Sequence, residues 1–347
     1  MRVLITGYGG FAGGHLAAEL LAETDWQLWG TLREASKASI TGSSAGSSIG
    51  SEGRVQTITL DLRDPAATRA AIEALQPDLI FHLAGQTNVP RSWEDPWATM
   101  ETNLRTQLNL LQALRQIQAK TQSKTQTRTQ TQTRTQTQTR LISVASNEVY
   151  GASMADYIPT DETAPLAPLN PYASSKAAQD LVALQYHLSD GMDIVRMRPF
   201  NHVGPGQSDA FVVPAFARQI AEIEAGLRPP QLSVGNLDAE RDFSDVRDIV
   251  RAYRLAAQHG KAGAVYNLGS GISRPIHSIV EGLRSRSTVQ VAVKQDPERM
   301  RPSDIPRSCC DASLARSVLG WESLRSFDST LDDVLAEWRD KIRTETR

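Results

Sequence analysis

Residues 2 to 22 leave this chain little freedom in what it can fold into. Arg2-Val3-Leu4-Ile5-Thr6 is a short apolar run with β-branched members, Gly7-Tyr8-Gly9-Gly10-Phe11-Ala12-Gly13-Gly14 follows at once, and an apolar pattern of helical period continues to about Ala22. The order predicts a strand, a glycine turn and a helix. Glycines permit the tight turn, and backbone N–H groups at a helix start can approach a pyrophosphate closely. Two registers fit the motif: Gly7, Gly9 and Ala12, or Gly7, Gly10 and Gly13.

The strand–helix unit then repeats. A second strand, Trp26 to Leu32, ends about 20 residues beyond the glycines, where an acid would bond an adenosine ribose and an arginine would accommodate a 2′-phosphate. Arg33 stands there, with Glu34 beside it, which favours NADP(H) and leaves NAD(H) as the alternative. Residues 36 to 53, rich in Ser and Gly, read as a flexible loop. Val55 to Leu60 is a third strand closing on Asp61-Leu62, and Asp64 is the N-cap of a helix to Leu75. Asp78 to Gly85 reads as a buried strand running into a small-residue turn at Leu83-Ala84-Gly85, a close approach of the kind a nicotinamide ribose needs. His82, inside that run, is read as a buried structural histidine. Ala98 to Ile117 has helical period and carries Asn103 and Asn109. Strands alternating with helices at this spacing imply an α/β fold with a Rossmann-type, doubly wound parallel sheet.

Between Lys120 and Arg140 lies a Thr-Gln repeat with few positive charges and no interleaved aromatic residue. Having nothing to bury, it is expected to be a solvated, mobile insertion and not a nucleic-acid-binding arm. The strand after it, from Leu141, brings Ser146, Asn147 and Glu148 to the carboxyl end of the sheet, the edge at which ligands bind. Next comes Asn170-Pro171-Tyr172-Ala173-Ser174-Ser175-Lys176, which sets a phenol and an ammonium on one helix face. An ammonium beside a phenol favours the phenolate, so the spacing predicts a Tyr172 pKa lowered from about 10 toward working pH. A tyrosine of that kind can exchange a proton where a carbonyl becomes an alcohol. After a strand from Asp193 to Arg198, helices near 214–225, 245–258 and 275–286 alternate with short strands such as Val265 to Leu268. This pattern predicts a smaller, interleaved α/β domain: residues 1–200 with 236–269 form the cofactor domain, and 201–235 with 270–347 the substrate domain.

Composition removes other classes. With 347 residues, 40% hydrophobic and 22% charged, the chain can fill one large or two modest cores, and a net charge of −2 gives no general attraction to nucleic acid or anionic membrane. No apolar run approaches the roughly 20 residues of a membrane span, and the first residues run straight into a strand, so a cytoplasmic protein is expected. Cys309 and Cys310 are adjacent, which suits neither a disulfide framework nor a zinc site. Two reduced thiols and no metal are expected.

Gly7-x-x-Gly10-x-x-Gly13, His82-Leu83-Ala84-Gly85, Ser146 and Tyr172-x-x-x-Lys176, in this order, resemble the extended short-chain dehydrogenase/reductases that modify nucleotide sugars. Phe200-Asn201-His202-Val203-Gly204-Pro205-Gly206-Gln207, Phe211-Val212, Arg241-Asp242-Phe243-x-Asp245-Val246-Arg247-Asp248 and Arg301-Pro302-Ser303-Asp304 are similar to the GDP-mannose branch of that family. The resemblance implies NADPH-dependent reduction of the C4 keto group of GDP-4-keto-6-deoxy-D-mannose to GDP-D-rhamnose, with 4,6-dehydration of GDP-mannose as the alternative and a non-catalytic NADP-sensing protein as a remote one. It implies that Tyr172 protonates the developing alkoxide, Lys176 keeps the tyrosine acidic and holds the nicotinamide ribose, and Ser146 bonds the keto oxygen. Glu148 matches the base position of the dehydratases, and the reductases of this branch resemble it there too, so it does not choose between the two activities. The implied cofactor site comprises Gly7, Gly10, Phe11, Ala12, Gly13, Arg33, Asp61, Leu62, Leu83 and Ala84, with Tyr172 and Lys176. The implied substrate site comprises Asn201, Val212, Arg218, Arg241, Arg301 and Asp304, the arginines offering forks to phosphate. Relatives pair through the helices at 98–117 and Tyr172, which implies a homodimer, with a tetramer as the alternative.

Overall fold

The structure, a computed structural model, describes residues 1–33, 54–126, 138–297 and 305–346. The expected Ser/Gly loop, most of the Thr-Gln repeat, Arg301 and Asp304 lie outside them. In chain order the elements are β1 (Arg2–Thr6), α1 (Phe11–Glu23), β2 (Gln27–Leu32), β3 (Val55–Thr59), α2 (Pro65–Leu75), β4 (Leu79–His82), α3 (Val89–Glu94), α4 (Pro96–Met100), a π-helical turn (Glu101–Arg105) and α5 (Thr106–Gln126). Then come β5 (Arg140–Val144), a 3₁₀ segment (Asn147–Ala155), α6 (Pro171–Asp190), β6 (Ile194–Pro199), β7 (Asn201–Val203), α7 (Val212–Glu224), β8 (Gln231–Val234), β9 (Glu240–Asp245) and α8 (Val246–His259). The last are β10 (Val265–Leu268), β11 (Ser273–Pro275), α9 (Ile276–Arg284), β12 (Ala292–Gln295), α10 (Ser313–Leu319) and α11 (Phe327–Glu345).

Seven strands form one sheet in the order β10-β6-β5-β4-β1-β2-β3, every pair parallel. Successive side chains of a strand point to opposite faces, and here both faces are covered. Val3, Ile5, Phe81 and Ile142 belong to a core shared with α1 and α8, while Leu4, Ile80 and Leu141 belong to one shared with α2, α5 and α6. A third core joins α7, α9 and α11 over β8 and β9. The three-stranded sheet β11-β9-β7 and the parallel pair β12-β8 accompany it. Ile305, Cys310, Ala315, Leu319 and Trp321 pack into the first core, so the chain returns to the large sheet once more before α11.

The expected helix 98–117 is divided. A π-helical turn interrupts it at Glu101–Arg105, and α5 then runs on to Gln126, into the Thr-Gln repeat expected to be mobile. Gln and Lys are good helix formers, and Thr costs only a few tenths of a kcal/mol, so a helix already nucleated and packed can extend. Cys309 and Cys310 are free and buried.

Local sequence sets the helix that bears Tyr172. The Asn170 side chain accepts from the Ala173 N–H at 2.8 Å, Pro171 takes the first turn and Gly191 closes the end in the left-handed region at φ 64°. Its depth against the sheet is set by a buried ionic knot. Asp180, 1% exposed, accepts from Arg196 at 2.8 Å and Arg198 at 2.6 Å. Arg198 also donates to the Tyr150 hydroxyl at 2.8 Å, which donates to Asn267 Oδ1 at 2.7 Å. The knot ties α6 to β6, the 3₁₀ segment and β10. Removing one partner of such a buried set leaves charge without compensation, so Asp180→Ala is expected to cost about 3–5 kcal/mol in urea unfolding. A loss below about 1 kcal/mol would show that the two guanidinium groups find other partners.

Candidate active site

The glycine turn meets the geometric demand of a phosphate cradle. Gly10 N–H closes on the Gly7 carbonyl at 2.9 Å, and no side chain caps the start of α1. Gly7 has φ +72°, and a Cβ there would lie 2.8 Å from the Ala84 nitrogen; a Cβ on Gly13 would lie 2.4 Å from the Gly7 oxygen. These are backbone collisions that no side-chain movement relieves, so the register is Gly7, Gly10 and Gly13. The first N–H groups of α1 are left for an anion. Phe11 stacks on His202 of β7 at 6.0 Å and 4°, and the His15 Nε2–H donates to the Pro205 carbonyl at 2.8 Å, so the 200–207 segment closes over the turn.

Arg33 is exposed at the end of β2. Close by, Arg63 grips Asp61 through Nε at 3.0 Å and Nη2 at 2.6 Å. Arg63's hydrogen bonds hold the Asp61 carboxyl below its ordinary range against a small burial penalty, and the charge of Arg33 adds to the effect. Arg63 was not among the expected residues; its position two after Asp61, at the sheet edge, is the signal that points to it. Leu62 is buried and its carbonyl accepts from Asn109 at 2.8 Å, while the Ala84 N–H reaches the Thr6 hydroxyl at 3.3 Å.

Ser146, Tyr172 and Lys176 come together at the carboxyl ends of β4 and β5 and are 7%, 8% and 4% exposed. Ser146 serves two partners: its Oγ accepts from the Glu148 N–H at 3.2 Å, starting the 3₁₀ segment, and donates to Asn147 Oδ1 at 3.4 Å, with the Tyr172 phenol close enough to feel the hydroxyl. Lys176 Nζ donates to the Val144 carbonyl at 3.0 Å. It lies beside Gly85, where a Cβ would stand 3.6 Å from the ammonium and 2.9 Å from Asn103 Oδ1. The π-helical turn explains how Asn103 arrives there. It turns the amide inward, where it accepts from Gln86 N–H at 2.6 Å and donates to Ser175 Oγ at 2.8 Å.

The expected lowering of the Tyr172 pKa does not occur in the protein alone. Burial pushes the phenol up to about 12; the neighbouring Ser146 hydroxyl opposes this and the Glu148 carboxylate adds to it. Burial likewise draws Lys176 down to about 8. Spacing on a helix puts the two groups on one face, but loss of hydration governs both. His82, 1% exposed, shares a hydrogen bond of 2.8 Å with Thr6 through Nδ1 and is brought down to about 3 by burial and the nearby Lys176 charge. It is neutral at working pH, and its Nε2 has no hydrogen-bond partner among the described residues.

Glu148 lies between the two halves of the cleft. Asn170 Nδ2 donates to it at 3.2 Å, its charge acts on Tyr172, and on the other side it partly offsets the burial that lowers the Arg241 pKa. Asn201 stands on β7 with a buried Oδ1 that has no hydrogen-bond partner among the described residues, and Val212 opens α7, whose start no side chain caps. Arg218 is committed elsewhere: it pairs with Asp209 and Glu222 and lies over Trp338. Two carboxylates already neutralise it, which weakens its case as a phosphate anchor. The acids of the 241–248 motif are structural. Asp242 accepts the N–H groups of Ser270, Gly271 and Cys310, Asp245 accepts Thr330 Oγ1 at 2.7 Å, and Asp248 accepts the N–H groups of Leu324 and Arg325. They pin three later segments around Arg241. Among the described residues no cluster of three His, Cys, Asp or Glu side chains could hold a metal, and no helix is long and apolar enough to cross a membrane.

The depressed Lys176 pKa has a sign that can be tested. An unfolded lysine keeps its proton up to about 10.4, whereas the folded one gives it up near 8. Between these values the unfolded chain binds more protons, so stability should rise with pH across that window and be flat, as far as this group goes, below it. Lys176→Met should abolish this rise in urea titrations from pH 7 to 10.5. Parallel profiles for the two proteins would refute it.

Comparison with known proteins agrees with this geometry. A family model described as GDP-mannose 4,6 dehydratase matches residues 4–334. The chain is 34% identical to the GDP-6-deoxy-D-mannose reductase of Pseudomonas aeruginosa over 345 residues, 99% of each chain. It is 28% identical to a GDP-mannose 4,6-dehydratase of Sinorhizobium fredii over 280 residues, 75% of this chain and 74% of that one. The solved structure of RMD from Pseudomonas aeruginosa complexed with NADPH matches with a TM-score of 0.77 and 32% identity, covering 97% of this chain and 98% of that chain. With its all-parallel sheet, its glycine cradle and its Ser146–Tyr172–Lys176 cluster, the chain belongs to the GDP-mannose 4,6 dehydratase family.

Proposed function

We propose that the protein reduces the C4 keto group of GDP-4-keto-6-deoxy-D-mannose to GDP-D-rhamnose with NADPH. The observation that carries this reading is the Tyr172 phenol, held protonated by burial beside the Ser146 hydroxyl, in a chain 34% identical to a GDP-6-deoxy-D-mannose reductase. Reduction requires a proton donor at the ketone oxygen, and a phenol that keeps its proton at neutral pH suits donation better than abstraction. The Ser146 hydroxyl and the Tyr172 phenol would bind the ketone oxygen together and stabilise it as charge develops. The Lys176 ammonium would hold the ribose hydroxyls of the cofactor and favour transfer of the Tyr172 proton.

The residues present fit a dinucleotide. Gly7, Gly10 and Gly13, with Phe11, Ala12 and the uncapped start of α1, would take its pyrophosphate; Leu83 and Ala84 its nicotinamide ribose; Asp61 and Leu62 its adenosine end. Arg33 would meet a 2′-phosphate, hence NADPH in preference to NADH. The bound cofactor supplies the hydride. Asn201, Val212 and Arg241, together with Arg301 and Asp304, would hold the GDP portion, with residues 201–235 and 270–347, apart from the 305–321 stretch that packs into the first core, as the substrate domain on the core of α7, α9 and α11. One observation favours a second reading: Glu148 lies close enough to Tyr172 to raise its pKa, the place for a base in 4,6-dehydration of GDP-mannose.

We also propose a cytoplasmic homodimer. Trp97, Leu181 and Leu188 are 78%, 53% and 73% exposed on α4 and α6, the side through which relatives would pair. Leu181→Glu with Leu188→Glu should convert the dimer to a monomer in sedimentation velocity, and a wild-type monomer at micromolar concentration would end the proposal. Fractionation that finds the protein in a membrane or periplasmic fraction would end the cytoplasmic assignment.

The chemistry is tested by supplying each substrate alone. NADPH should be oxidised only when the 4-keto sugar is present, Tyr172→Phe should lower kcat at least 100-fold, and Arg33→Ala should raise KM for NADPH about tenfold with little effect on NADH. Formation of a keto sugar from GDP-mannose without added reductant would replace the reductase reading by the dehydratase one.

A further inference from the structure

We propose that Glu337 is a positioning residue for the cofactor: from α11 it latches the strap of residues 204–207 against the start of α1, and so sets how firmly the glycine turn holds a dinucleotide. The proposal rests on the dinucleotide reading of that turn. The strap leaves β7 and meets α1 twice. His202 stacks on Phe11, the first residue of the helix, at 6.0 Å and 4°, and the Pro205 carbonyl accepts from His15 Nε2–H at 2.8 Å. Between these contacts Gly204 passes so close that a Cβ there would lie 2.6 Å from Val246 Cγ1 and 3.8 Å from Phe11 Cζ. Phe11 itself meets the His15 ring edge to face at 5.4 Å. Gly206 follows at φ +87°, and its N–H donates to Glu337 Oε2 at 2.6 Å.

Glu337 is held in place by a circuit of charges around one tryptophan. Lys341, a turn further along α11, donates to the Glu337 carboxylate at 2.7 Å, and its Nζ lies 4.5 Å from the centre of the Trp338 ring. The Arg218 guanidinium lies 5.7 Å from the same ring and pairs with Asp209, three residues beyond Gly206. Trp338 packs into the core of α7, α9 and α11. The strap is thus tied to α11 at Gly206 and to α7 at Asp209, and both anchors meet at a buried ring. The Glu337 side chain is only 12% exposed, so it is a preset acceptor and not a solvated surface acid. Burial lowers the His15 pKa, while its bond to Pro205 and the charge of Glu337 work against this, which places the latch near the ring that holds the other side of the strap. Glycines at 204 and 206 give the strap little stiffness of its own, and a hydrogen bond to a charged acceptor is among the stronger ones. A site that is competent only with the strap seated loses affinity in proportion to the unseated fraction. The latch therefore acts on cofactor affinity, through Phe11, and not on proton transfer at Tyr172.

Titration of the full chain with NADPH and with NADH, followed by cofactor fluorescence with no sugar present, tests the latch. Glu337→Ala should raise both dissociation constants about 5- to 20-fold and by the same factor, since the two cofactors share the pyrophosphate. KM for NADPH should rise likewise, while kcat and KM for the keto sugar change less than about threefold. Glu337→Gln, which keeps an oxygen for the Gly206 N–H, should recover most of the affinity. His15→Ala should weaken both cofactors from the other side of the strap, and the double variant should lose little more than the worse single one, because both act through one segment. This second variant keeps the test open if Glu337→Ala does not fold. A purely structural Glu337 would lower the melting temperature and leave the cofactor dissociation constants unchanged. That result, equal losses in the Gln and Ala variants, or additive losses in the double variant would overturn the latch. A wild-type protein that binds neither NADPH nor NADH would overturn the dinucleotide reading itself, and the latch with it.

Discussion

The rest of the site depends on where the Asp180 carboxylate sits. It accepts both Arg196 and Arg198 in a place closed to water, and Arg198 passes the constraint on through Tyr150 to Asn267. Asn267 then donates its N–H to Glu162 at 2.6 Å and its side-chain amide to the Thr160 carbonyl at 3.0 Å. One side chain on α6 thereby fixes the helix against β6, the 3₁₀ segment, β10 and the loop at 160. Tyr172 is two turns before Asp180 on the same helix, and Ser146 starts that 3₁₀ segment. Such a buried knot contributes little net stability compared with an apolar core, but it admits one arrangement. A site built from several elements needs that more than it needs stability, because a misplacement of about 1 Å can cost roughly a hundredfold in rate.

The same economy of roles appears in the 241–248 segment. Its three aspartates read as a charged motif, yet each is satisfied by later segments of the chain, and their effect is to fix the strand that carries Arg241. The cleft is thus assembled from two parts of different character: a buried edge of the large sheet that carries Ser146, Tyr172 and Lys176, and a strand of the small sheet that carries Arg241. Glu148 stands between them and acts on both Tyr172 and Arg241. Its carboxylate raises the phenol while easing the burial of the guanidinium. The identity of residue 148 therefore sets the electrostatic surroundings of Tyr172 and Arg241 together.

Local chemistry and periodicity determined much of this from the sequence alone. Short β-branched runs ending in small residues favour strands of a covered sheet, and Asn170-Pro171 or Asp64-Pro65 ahead of an apolar pattern of helical period favours a helix start, because capping and fixed φ act within three residues. The glycine cradle and the Tyr172–Lys176 face were legible for the same reason. What the tertiary structure decided lies at longer range. Which glycine register applies depends on the Ala84 and Gly7 backbones meeting, the π-helical turn that delivers Asn103 depends on packing against Ser175, and the helix that enters the Thr-Gln repeat depends on a stem already held by the sheet. The sign of the Tyr172 shift was also decided there: spacing brings an ammonium near, but only the fold determines how much water both groups lose, and loss of hydration outweighs the neighbour. So too with Arg218. A sequence shows that an arginine is present; only the partners the fold brings to it decide that its charge is spent on Asp209 and Glu222.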